Sequence, residues 1–284
     1  MMQRLTRKQF NVLVDGVDSY WDDPGDETVK ELKELGYMGE GGITALGVKA
    51  LKPYRVERAV FLAAGFGSRL APVTINTPKP LVRVRGERII DSLIDACLGA
   101  GIRDIYIVRG YLAEQFDQLL YRYPMIKFLE NIDYQRANNI SSAMCARHLF
   151  ANAYVLEADL FVKNPGIIKP YHYTSNFLAF RKDRTQDWCF RVEDGIITEE
   201  KMGGINCWQM VGISYWSAED GDRLSKDIGE VYMQPGGSKS YWEQVPLVHC
   251  KKNYRVEVCA CNEGDVIEID TFDELKAIDP IYRI

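Results

Sequence analysis

The chain has 284 residues, 46% hydrophobic and 26% charged, enough for one large or two modest domains with a buried core. Its formal net charge of −5 provides no global basic field for nucleic acid. The opening "MMQRLTRKQFNVLVDG" carries charges where a signal peptide needs an apolar core, and no run approaches the roughly 18 apolar residues of a membrane span, so the expected location is cytoplasmic.

Residues 1–57 are predicted to form a small domain of their own. "TRKQFNVLVDGVDSYWD" has a helix-start signal at Thr6 and apolar residues at helical spacing, and "DETVKELKELGYM" is a second helix closed by Gly36. "GYMGEGGITALGVKAL" then predicts a short hairpin and a final helix. Two helices, a glycine-rich wing and a "T-x-x-G-x-x-A-L" helix resemble the winged helix-turn-helix domains of bacterial regulators. Eight Lys and Arg against ten Asp and Glu leave this region at −2, which argues against DNA binding and for a docking, dimerising or regulatory module.

From Val56 the pattern becomes strand, loop, helix, repeated. "RAVFLAA", "DIYIVRG", "IKFLEN" and "AYVLEAD" predict strands; "RIIDSLIDACLGAG", "LAEQFDQLLYRY" and "NISSAMCARHLF" predict helices. "FRVEDGIITEE" predicts a hairpin and "CWQMVGISYW" a long strand. The fold class is α/β, a mixed but mostly parallel sheet covered by helices, in a second domain over 58–284. The seven cysteines are scattered without a C-x-x-C pair, which predicts reduced structural thiols. Ligands on such sheets sit beyond the carboxyl ends of the strands, where the strand order switches. The stretch leaving the first strand there is "LAAGFGSRLAPVTINTPKP", residues 62–80.

Glycines at 65 and 67 let the backbone approach an anion and offer N–H groups. Leu70 stands where a dinucleotide fingerprint needs a third glycine, and the Gly-Lys-Ser/Thr of a P-loop is absent. Arg69 and the proline-flanked Lys79 add two cations, which suits a triphosphate whose leaving pyrophosphate must be stabilised.

"LAAGFGSRLAPVTINTPKPLV" closely resembles the L-A-A-G-x-G-[ST]-R-[LM]-x-P-x-T-x-x-x-P-K-P signature of the sugar-phosphate nucleotidyltransferase superfamily. The resemblance implies a Rossmann-like fold from about residue 58 to the end, transferring a nucleotidyl group from a nucleoside triphosphate to a phosphorylated partner. Within the superfamily, "GYLAEQF", "NNISSA", "YVLEADLF", "TQDWCF", "VGISYW", "SYWEQV" and "IEIDTFDEL" resemble bacterial CTP:phosphocholine cytidylyltransferases. That resemblance implies that Leu62, Ala63, Ala64, Gly65, Gly67 and Ser68, with Tyr111, Asn139 and Ser142, bind the nucleotide. It implies that Arg69 and Lys79 hold the phosphates, that Asp159 and Asp270 ligate Mg²⁺, and that Arg69, Lys79 and Asp159 carry catalysis.

A trimethylammonium group has no N–H to donate, so its recognition rests on aromatic faces and carboxylates. Trp188 and Tyr241, where the family has its aromatic cage, together with Asp187 and Glu268 are the expected acceptor residues. Glu157-Ala158-Asp159 departs from the Asp-Ala-Asp of the phosphocholine enzymes and resembles cytidylyltransferases acting on phosphonates such as 2-aminoethylphosphonate. Phosphocholine is the expected acceptor, that phosphonate the alternative. A sugar-1-phosphate nucleotidyltransferase and a ligand-sensing regulator on the same fold are more distant readings. Related cytidylyltransferases also occur fused to a further catalytic domain, so both that and a homodimer stay open as readings of this chain.

Overall fold

The computed structural model describes residues 4–18 and 26–283, and the chain divides into two compact units, Met1–Val56 with Tyr171–Tyr173, and Glu57–Pro170 with Thr174–Ile284. The smaller unit runs α1 (Arg7–Asp18), α2 (Glu27–Glu34), a hairpin of β1 (Met38–Gly39) and β2 (Gly42–Ile43), and α3 (Ala45–Leu51). Thr6 starts α1 as expected: its hydroxyl accepts the Gln9 N–H at 3.3 Å while the Gln9 side chain accepts the Thr6 N–H at 3.0 Å. The part of that prediction from Ser19 to Asp22 lies outside the described residues.

Asp26 caps α2 by accepting the Thr28 N–H at 2.7 Å, and Thr44 caps α3 by accepting the Gly47 N–H at 3.1 Å. Gly47 is required by packing, because a Cβ there would lie 2.2 Å from the Tyr37 carbonyl oxygen. Leu13, Leu32 and Leu51 fill the core, and Tyr54 stacks on Tyr173 at 5.5 Å and 7°. The smaller unit runs to Val56 and takes in Tyr171–Tyr173, a return for which the sequence held no signal.

The larger unit contains β3 (Arg58–Ala63), the short hairpin β4 (Arg83–Val84) and β5 (Glu87–Arg88), α4 (Ile89–Gly99), β6 (Asp104–Arg109), β7 (Lys127–Glu130) and α5 (Ile140–Ala146). It continues with β8 (Ala153–Glu157), β9 (Leu160–Val162), β10 (Asn176–Glu193), β11 (Ile196–Trp216), α6 (Ala218–Met233), β12 (Glu257–Ala260), β13 (Val266–Glu268) and α7 (Phe272–Ile278). A seven-stranded sheet has the order β10-β12-β11-β8-β3-β6-β7. Strands β8, β3, β6 and β7 are parallel to one another, whereas β11 runs antiparallel to β8 and β10. The central parallel strands β3 and β8 are buried on both faces over most of their length, in keeping with their apolar runs.

The chain goes from β3 outward to β6 and β7, then returns on the other side of β3 as β8. This reversal opens a crevice at the carboxyl ends of β3 and β8. The loop after β3 and the sequence Glu157-Ala158-Asp159 after β8 therefore meet there. Strands β10 and β11 form a long arm joined at Asp194-Gly195, both at positive φ (50° and 79°), the backbone of a tight two-residue hairpin. The segment predicted as a helix over 112–123 is a 3-10 helix, Ala113–Tyr121. Leu112 enters it at φ 47° and the Ala113 carbonyl accepts from Arg109 Nη1 at 3.0 Å, while Phe116 and Leu119, three apart, share its buried face. No helix among the described residues is long and apolar enough to cross a membrane.

Candidate active site

Beyond the carboxyl end of β3 lies a cavity of about 590 Å³, lined by both polar and aromatic side chains. The sequence-named residues on its wall are Leu62, Ala63, Ala64, Gly65, Gly67, Ser68, Arg69, Lys79, Asn139, Ser142, Asp159, Asp187, Trp188, Tyr241, Glu268 and Asp270. Tyr111 is not on that wall. Its hydroxyl donates to the carbonyls of Thr74 (3.0 Å) and Ile75 (2.8 Å) and its ring packs 4.9 Å from Phe66, so it braces the glycine loop from behind.

The two loop glycines differ in their reasons. Gly67 takes φ +61°, and a Cβ on it would lie 2.7 Å from the Lys79 Cβ, so glycine lets the lysine segment close onto the loop. A Cβ on Gly65 would meet nothing within 4 Å. Thr74 secures the turn, its hydroxyl donating to the Gly67 carbonyl at 2.8 Å.

Lys79 is 6% exposed, and its ammonium donates to Asp159 Oδ2 at 2.7 Å and to Asp270 Oδ1 at 2.8 Å. Burial works against this charge, but Asp159 and Asp270 outweigh it and hold the Lys79 pKa above the ordinary lysine value. Arg69, mostly exposed, donates to the same Asp270 oxygen at 2.9 Å. Asp270 is set by the start of α7: its N–H and that of Thr271 both donate to Glu274 Oε2 at 2.8 Å, within a capping box. Asp159, Glu268 and Asp270 can each turn one oxygen to a common point, these atoms lying within 4.8 Å of one another.

Three further glutamates were not singled out as site residues by the sequence. Glu157 lines the cavity, and burial, then the charges of Asp159, Glu243 and Glu268, drive its pKa well up. It fits only because Gly212, at φ +73°, has no side chain; a Cβ there would lie 2.5 Å from Glu157 Oε2. Burial pushes Glu243 up to about 7 and Glu200 up to about 8. Both Glu200 carboxylate oxygens are buried without a hydrogen-bond partner. Glu268, within the motif quoted above, is pushed up to about 8 by burial and by Asp159 and Asp270.

Asn139 is fixed at two points, its Oδ1 accepting the Trp242 N–H at 2.8 Å and its Nδ2 donating to Glu243 at 3.4 Å. Ser142 is held by Asn131 Nδ2, which donates to it at 3.0 Å. The rings of Trp188 and Tyr241 meet at 5.6 Å and 65°, and Met202, opposite Trp188 across the arm, lines the same part of the cavity. A signal for Glu243 was present in "SYWEQV", where it follows Tyr241 and Trp242 directly. The lining thus carries cations, a group of converging carboxylates and a pair of aromatic faces.

Residues 58–188 match the family described as Nucleotidyl transferase. A 2-aminoethylphosphonate cytidylyltransferase of Lancefieldella rimae is 35% identical over 228 residues, covering 79% of this chain and 92% of that protein. A choline-phosphate cytidylyltransferase of Streptococcus pneumoniae is 31% identical over 232 residues, covering 80% and 98%. The solved structure of a CTP:phosphocholine cytidylyltransferase from Streptococcus pneumoniae superposes with a TM-score of 0.74 at 28% identity, over 80% of this chain and 99% of that one. With the signature loop, the switch-point cavity and these near full-length relatives agreeing, the chain belongs to the nucleotidyltransferase family, in company with its cytidylyltransferases.

Proposed function

We propose that this protein transfers CMP from CTP to phosphocholine, giving CDP-choline and pyrophosphate. The observation that carries the acceptor is the Trp188–Tyr241 pair, two aromatic faces on the wall of the cavity that also holds Lys79. Such faces with nearby acids suit a quaternary ammonium, which offers positive charge but no N–H. Curated relatives carrying that name support the reading.

A second reading has a specific observation behind it. Glu157 and Glu243 offer carboxylate oxygens to the cavity, which suit a primary ammonium with N–H groups to donate, and the Lancefieldella rimae relative is named for 2-aminoethylphosphonate.

In either case an oxygen of the acceptor's phosphoryl group attacks the α-phosphorus of CTP in line. The bond from that phosphorus to the bridging oxygen breaks, and pyrophosphate leaves with the electron pair. The attacking oxygen is already anionic, so no side chain has to remove a proton. This chain supplies position and charge: backbone groups of 62–68 with Asn139 and Ser142 hold the nucleoside, and Lys79 and Arg69 neutralise the phosphates. Asp159 and Asp270, with Glu268 beside them, fit a hard divalent ion such as Mg²⁺, since they are oxygen donors converging on one point and Asp159 Oδ1 is buried without a partner. When bound, such an ion would supply positive charge that offsets the repulsion of one anion attacking another.

Pyrophosphate release with CTP and Mg²⁺, comparing phosphocholine and 2-aminoethylphosphonate at equal concentration, tests the reading. Faster release with phosphocholine is expected; preference for the phosphonate would install the second reading, and release with neither would end both.

A further inference from the structure

We propose that Lys79 is a built-in counter-ion which a divalent cation has to displace, so that metal enters this site with the nucleotide rather than ahead of it. The inference rests on reading Asp159 and Asp270 as metal ligands. The Lys79 ammonium bridges the two carboxylates, at 2.7 Å from Asp159 Oδ2 and 2.8 Å from Asp270 Oδ1. It is nearly fully buried, and the close seat of Gly67 against its Cβ holds the segment in place.

A magnesium ion needs oxygens at about 2.0–2.1 Å, and an ammonium left within a few ångströms would repel it. Occupation by lysine and by metal therefore exclude one another. Evicting the lysine into the cavity without a new partner would leave a buried ammonium unpaired, which is costly. A nucleotide changes the balance: its phosphate oxygens offer Lys79 and Arg69 new acceptors at the moment the metal takes over the carboxylates. Each charge then exchanges one partner for another. The protein alone should bind divalent ions weakly, with lysine as the competitor.

The test is Mn²⁺ affinity without nucleotide, by electron paramagnetic resonance of free Mn²⁺, for wild type, Lys79→Met and Arg69→Gln. Arg69→Gln removes the same unit charge beside Asp270 but no bridging group. Lys79→Met should tighten Mn²⁺ binding at least tenfold, and Arg69→Gln by less than about threefold. Equal tightening in both would reduce the effect to net charge and overturn the proposal, as would no tightening in Lys79→Met. If Asp159→Asn and Asp270→Asn leave Mn²⁺ binding in the presence of CTP unchanged, the ligand reading itself fails, a separate result.

Should Lys79→Met not fold, wild type answers by NMR of ¹³C-labelled lysine ε-carbons. Lys79 is the buried lysine among the described residues, so its signal should be recognisable by slow amine exchange. Mg²⁺ with nucleotide should shift its signal, and Mg²⁺ alone should do so only at far higher concentration. A shift at equal Mg²⁺ concentration in both cases would overturn the proposal.

Discussion

Lys79 sits where three demands meet: two carboxylates to neutralise, a cavity to face, and a glycine turn to close against. Removing its ammonium or the Asp159 carboxylate should cost turnover far more than fold. Lys79→Ala and Asp159→Ala are each expected to lower turnover about 10²–10³-fold, with far-UV circular dichroism unchanged. Near-normal pyrophosphate release in either variant would take that residue out of the mechanism. The loop glycines allow a paired prediction. Gly67→Ala forces a side chain into the left-handed region and against Lys79, so it should lose about 1–2 kcal/mol of stability in urea unfolding as well as activity. Gly65→Ala meets no protein atom, so its stability should stay at the wild-type value while KM for CTP rises. If Gly65→Ala leaves KM unchanged, the backbone at 65 does not approach the nucleotide.

At the scale of elements, the β10–β11 arm brings Trp188 and Met202 to the wall of the cavity and carries the buried Glu200 carboxylate. Glu200 is raised on folding from an ordinary 4.5 to about 8 by burial, with a further contribution from Glu243. An acid raised on folding keeps its proton in the folded state over a range where the unfolded chain has lost it. Stability from this group is therefore highest below pH 4.5 and falls as pH climbs to about 8. Glu200→Gln should flatten the fall of the thermal midpoint between pH 5 and 8, and gain about 2 kcal/mol at the upper end. An unaltered slope would show that Glu200 ionises freely. The arm was legible in sequence as a hairpin because "EDG" carries the positive-φ turn. Its length and the facing of Trp188 onto Tyr241 were not, since pairing register is set across strands.

For the whole molecule, the two units carry different expectations. The smaller one has the predicted helix, helix, hairpin, helix order, and we retain the winged-helix likeness as a proposal with a docking or regulatory role. The net charge of −2 over residues 1–57 predicts no sequence-dependent DNA retention in electrophoretic shifts at about 0.15 M salt, and a tight specific complex there would reverse that. Its core borrows Tyr173, stacked on Tyr54, from a segment more than a hundred residues on in the chain. Tyr173→Ala should lower the stability of this unit by about 2 kcal/mol, read as loss of amide-exchange protection in α1–α3. Protection equal to wild type would mean that the unit folds without its returning segment.

By itself the sequence determined the alternation of strands and helices, the place of the glycine loop at the end of the first strand, and the motifs that carry Asp159, Asp270, Trp188 and Tyr241. Each of these is written in local periodicity or in a contiguous motif. Only the tertiary structure decided that Lys79 bridges Asp159 and Asp270, partners 80 and 191 residues away. It also decided that Glu157, Glu200 and Glu243 gather with raised pKa values, that Tyr111 braces the loop instead of facing the cavity, and that Tyr171–Tyr173 joins the small unit. The physical reason is that local patterns set what an element is, whereas burial and charge pairing arise from which elements the sheet order brings together.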